Sequence, residues 1–65
     1  MLIVMHHNAT SKQINAVMAA VEKMGLKASS IPGSERTAIG VLGNKGYVDD
    51  TTIRDLAGVK DVIHV

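Results

Sequence analysis

The chain has no cysteine, which excludes disulfide staples and thiolate metal sites together. Aromatic residues are almost as scarce, Tyr47 being the single one. Binders of single-stranded nucleic acid stack successive bases on ring platforms, and one tyrosine cannot furnish them. Neither sign of charge is in excess: seven Lys and Arg stand against six Asp and Glu, for a net charge of +1. That scatter leaves no patch able to track a phosphate backbone. No apolar run approaches the roughly 20 residues that span a bilayer, and no charged segment precedes the opening run Met1–Met5 as in a secretory leader. The chain reads as soluble and cytoplasmic, with neither nucleic acid nor membrane among its partners.

What is present is enough for one domain, residues 1–65. Apolar residues make up 46% of the chain and charged residues 20%, a balance too apolar for a disordered tail. Yet a core of this size rarely contributes more than about 3 to 5 kcal/mol, and small domains are commonly reinforced by disulfides, metals or association. With disulfides excluded, association or attachment to a larger chain is the expected reinforcement. A multi-step active site with its own cleft does not fit.

Leu2–Met5 is β-rich and continuous rather than alternating, as in a strand buried on both faces. Thr10 precedes Gln13 by three residues, the spacing at which hydroxyl and amide satisfy each other's backbone donors. The helix that follows carries Ile14, Val17, Met18, Val21 and Met24 along one stripe, and Gly25 ends it. Leu26–Ile31 is a second strand, polar enough through Lys27, Ser29 and Ser30 to lie at an edge. Pro32-Gly33-Ser34 makes a turn, and Thr37–Leu42 is a third strand, again apolar on both faces. A loop over 43–46 and Tyr47-Val48 lead to a short helix capped by Asp49 or Asp50, with Ile53, Leu56 and Ala57 inward. Gly58 ends it, and residues 61–65 form the last strand.

This order is the βαββαβ pattern of ferredoxin-like folds, an α+β class with a four-stranded antiparallel sheet and two helices on one face. The two fully apolar strands are the first and third, which that topology makes central. The sheet face opposite the helices then stays uncovered, and an apolar strip on it is the expected place for a binding surface.

Candidate chemistry is thin. His6, His7 and His64 are the only imidazoles; pairing of the first and last strands would set His6 beside His64, but no metal shell closes without further ligands. Ser29, Ser30 and Ser34 have no histidine with an orienting acid at a recognisable spacing. Gly40, Gly43 and Gly46 recur at intervals of three but lack the spacing and the following Lys-Ser/Thr of a phosphate loop. No residue is assigned to catalysis, metal or cofactor.

The segment Gly33-Ser34-Glu35-Arg36-Thr37-Ala38-Ile39-Gly40-Val41-Leu42-Gly43, followed by Tyr47-Val48, resembles the N-terminal ferredoxin-like domain of one class of 3-deoxy-D-arabino-heptulosonate 7-phosphate (DAHP) synthase. The likeness covers essentially the whole chain, and its Gly-x-Glu-Arg-Thr-x-Ile-Gly core is the specific part. The resemblance implies a non-catalytic, feedback-regulatory domain. Its parent is a transferase whose (β/α)₈ barrel condenses phosphoenolpyruvate with erythrose 4-phosphate, in the shikimate route to aromatic amino acids. It further implies homo-oligomeric association of such domains around phenylalanine or tyrosine, obstructing the barrel. On this chain the effector-binding positions are Ser29, Ser30 and Ile31, where tyrosine-regulated members carry a histidine and a serine just before the turn. Contact with barrel or partner domain falls to Gly33, Glu35, Arg36 and Thr37. The alternative, from the residues alone, is a free-standing module that dimerises through its open face without a small ligand.

Overall fold

The computed structural model describes residues 1–43 and 50–64. Its elements are β1 (Leu2–Met5), α1 (Ser11–Lys23), β2 (Lys27–Ile31), β3 (Ala38–Leu42), α2 (Thr51–Arg54) and β4 (Val59–Ile63). The strands form one antiparallel sheet in the order β2-β3-β1-β4, so the two apolar strands are central and the two polar ones are edges. The fold is ferredoxin-like βαββαβ. The loop and cap readings at 44–49, Tyr47 among them, and Val65 lie outside the described residues.

Local chemistry sets the limits of α1. Thr10 is extended (φ −83°, ψ 160°); its hydroxyl accepts from the Gln13 amide at 3.1 Å, and its own amide donates to Gln13 Oε1 at 3.0 Å. Two donors that the first turn leaves unpaired are thereby satisfied. At the other end Gly25 takes φ +81°, which a side chain would resist. Val17 and Val21 are buried, with Ile14 and Met18 packed against the core. Met24, the last member of the apolar stripe, sits at the C-cap beyond the last helical turn and is 42% exposed.

Directly paired residues on adjacent strands share a face of the sheet. Ile3 pairs with Ile39 and with Val62, and these three join Met5, Val41, Val17, Val21 and Ile53 in the core beneath the helices. The opposite parity puts Leu2 and Val4 on the open face.

The C-terminal third differs from expectation. β4 begins at Val59, two residues earlier than the apolar stretch suggests, because Gly58 (φ +89°) turns the chain straight back onto β1. The Gly58 carbonyl already accepts from the His6 amide at 2.7 Å, and a register shift between Val4 and Met5 absorbs the offset. Lys60 and Asp61 are tolerated because β4 is an edge. In α2, Ile53 is buried and Leu56 half-buried, but Ala57 is exposed: the helix is one turn long, and Ala57 lies beyond its end. His6 and His64 are not neighbours either. β4 runs antiparallel to β1, so Met5 meets Val59 while Leu2 meets Ile63, which sets the two imidazoles at opposite ends of the sheet.

Candidate functional site

Following the register across the sheet reconstructs the open face. One row runs Ser29, Gly40, Leu2, Ile63; the next runs Ile31, Ala38, Val4, Asp61; Lys27 and Leu42 form a third. Ile31, Leu42 and Ile63 project from it at 50%, 60% and 46% exposure, large apolar side chains with no helix of the described residues above them. Between them the surface is low, since Gly40 carries no side chain and Ala38 a single methyl. Ile31 leans into that low ground: its Cδ1 lies 3.5 Å from where a Cβ on Gly40 would stand.

The three positions expected to bind an effector divide between two faces. Ser29 and Ile31 belong to the open face beside Gly40 and Ala38, whereas Ser30 pairs with Ile39 and points to the helical side. All three are exposed because β2 is an edge. Strand alternation carries this division, but assigning each parity to a face needed the register.

The proposed contact positions lie on the connection from β2 to β3. Gly33 and Glu35 are exposed, Arg36 and Thr37 half-buried. A Cβ on Gly33 would stand 2.6 Å from the Arg36 carbonyl oxygen, a distance no side chain tolerates, so glycine is needed for the connection to close. The Thr37 carbonyl accepts from the Met5 amide at 3.0 Å, extending the β1–β3 ladder beyond the strand. Ile31 and this connection thus share one end of the sheet, with Ser29 two residues further along the same face.

A second polar group joins α2 to β4. Asp50 stands at the N-cap of α2 but makes no side-chain capping bond. Its Oδ2 instead lies 2.6 Å from His64 Nε2 and 2.9 Å from Arg54 Nε. An ionised carboxylate only accepts, so Nε2 of His64 carries the proton. Arg54 reaches onward through Nη1 to Asp61 Oδ1 at 3.2 Å and through Nη2 to the Val62 carbonyl at 3.0 Å, and Asp61 Oδ1 accepts from the Val62 amide at 2.8 Å. The hydrogen bond from His64, followed by those from Arg54, holds the Asp50 carboxyl below its ordinary range against the opposing effect of burial. The Arg54 guanidinium is raised chiefly by its bond to Asp50. The four-residue spacing of Asp50 and Arg54 was a usable signal; nothing in the sequence pointed to His64 as the third member.

This group is a structural tie with no nucleophile in it. Among the described residues no three His, Asp or Glu side chains are placed to hold a metal ion, and no helix is long and apolar enough to cross a membrane.

Comparison with known proteins agrees with the fold and adds the family. The family model for the DAHP synthase ferredoxin-like domain matches residues 1–65. A curated relative from Thermotoga maritima, phospho-2-dehydro-3-deoxyheptonate aldolase, is 32% identical over all 65 residues, which span 19% of its length. The crystal structure of a Thermotoga maritima protein of that name, also called DAHP synthase, superposes with a TM-score of 0.88 at 31% identity. That match covers 98% of this chain and 19% of the solved one.

Proposed function

Because the chain belongs to the DAHP synthase ferredoxin-like domain family, we propose that it is the feedback-regulatory part of a cytoplasmic DAHP synthase and performs no catalysis itself. The observation that carries this reading is the whole-chain match to a domain that makes up 19% of its relative, joined to an apolar sheet face that the described residues leave uncovered. In the longer protein a (β/α)₈ barrel condenses phosphoenolpyruvate with erythrose 4-phosphate. The small domain associates with a counterpart from another subunit across the open face and the β2–β3 connection, and an aromatic amino acid, phenylalanine or tyrosine, binds between them. An aromatic ring suits the low ground over Gly40 and Ala38, bordered by Ile31 and Leu2, while Ser29 offers a hydroxyl to the ligand's polar end.

Inhibition then requires only that the effector prefer the associated arrangement. A coupling of about 1 to 3 kcal/mol is typical of such linkage. The test has two arms. Phenylalanine or tyrosine added to the 65-residue chain shifts the backbone amide signals of β2 and β3 and raises its sedimentation coefficient. Deletion of residues 1–65 from the longer chain abolishes inhibition by the same amino acid and leaves condensation intact. Unchanged spectra at millimolar ligand, with self-association all the same, would establish the free-standing dimerising module instead.

A further inference from the structure

On the helical side, away from the open sheet face, α1 and α2 enclose a hollow of about 390 Å³ lined by Ala20, Lys23, Met24, Thr52 and Ile53. Its floor is apolar, with Ile53 fully buried beneath it and Met24 left 42% exposed at its edge. Two of its described lining residues have polar side chains, Lys23 from α1 and Thr52 from α2. Neither has a hydrogen-bond or ion-pair partner among the described residues, and no acidic side chain among those residues lines the hollow. A neighbouring hollow further along the same groove, about 290 Å³, also has a lysine, Lys12, on an apolar floor. Its other polar group, Gln13, is occupied by the reciprocal bonds with Thr10.

We propose that the Lys23–Thr52 hollow binds a small apolar monocarboxylate. Charge selects the head group: a lysine from α1 and a threonine from α2, with no carboxylate among the described lining residues, are matched by an anion that accepts two hydrogen bonds. The lining selects the body, since Ala20, Met24 and Ile53 offer only hydrocarbon and thioether surface. Size selects against anything large, the volume lying at the lower end of small-molecule sites. This site is independent of the aromatic amino acid reading, which concerns the other face of the sheet.

Octanoate is the probe, followed by backbone amide shifts on the 65-residue chain. Saturable shifts at Ala20, Met24 and Ile53 are expected, with octan-1-ol and acetate binding at least about tenfold more weakly because each lacks one half of the match. Lys23→Gln weakens octanoate by about tenfold and Lys23→Arg restores it. Ala20→Leu, on the rim of the hollow, removes binding without moving the urea midpoint. Equal binding of octanol and octanoate, shifts centred on Leu42 and Ile63, or undiminished binding by Ala20→Leu would each overturn the proposal.

Discussion

A Cβ placed on Gly58 would stand 2.8 Å from Oε1 of Gln13. The glycine that turns the chain into β4 is therefore packed against the side chain that caps α1, and one residue serves two elements distant in sequence. Met5 Cε, 3.2 Å from the same point, closes the third side.

Gly58→Ala and Gly25→Ala are accordingly expected to differ. Both glycines have positive φ, +89° and +81°, and a left-handed alanine costs roughly 1 to 2 kcal/mol. At Gly25 nothing lies within 4 Å of the new Cβ, so the loss stops there. At Gly58 the methyl also displaces Gln13 and opens the cap, adding about 1 kcal/mol. Urea unfolding of the two variants measures the difference; equal losses would show that Gln13 moves aside freely.

If the domain associates across its open face as proposed, association and folding separate on the two faces of the sheet. Leu42→Lys and Ile63→Lys alter side chains that are already exposed, so unfolding free energies stay within about 0.5 kcal/mol while sedimentation shifts toward monomer. Val17→Asp buries an unpaired charge in the core and costs more than about 4 kcal/mol. Retained dimer in both lysine variants would remove the open face as the contact.

Much of this architecture was legible because it rests on local chemistry. The Thr10–Gln13 reciprocity, the stripe from Ile14 to Val21 and the glycine after α1 are each decided within a few residues. What was hidden depends on contacts between distant segments. β4 starts at Val59 because β1 offers it a ladder, although Lys60 and Asp61 look unlike strand residues. Asp50 forgoes its cap because His64 and Arg54 compete for the same oxygen. For the site, alternation sets Ser30 apart from Ser29 and Ile31, but which parity faces away from the helices depended on register.

The tie between α2 and β4 makes stability depend on acid. Asp50 has a folded-state pKa depressed below 3.8, so the unfolded chain takes up its proton first as pH falls. Its contribution is fully present above about pH 4 and is lost as pH drops through the folded value. Asp50→Asn should thus lower the urea midpoint relative to wild type at pH 6, with a gap that narrows steadily below pH 4. A gap independent of pH between 6 and 2 would mean that the charge on Asp50 contributes nothing.

Ser29 and Ser30 are adjacent in sequence and divided by the sheet, which makes them a discriminating pair for the effector. If the amino acid lies on the open face, the Ser29 hydroxyl is within that site and the Ser30 hydroxyl is on the far side of β2. Loss of one hydrogen bond of about 1 kcal/mol corresponds to roughly fivefold in affinity. Ser29→Ala is therefore expected to weaken the preferred aromatic amino acid by about that factor, and Ser30→Ala to leave it unchanged. Gly40→Val provides the companion measurement, because its methyls fill the low ground and press on Ile31, blocking the ring without touching the hydroxyl. Titration of the three variants by amide shifts decides the matter: an effect at Ser30 with none at Ser29 or Gly40 would move the effector to the helical side of the sheet.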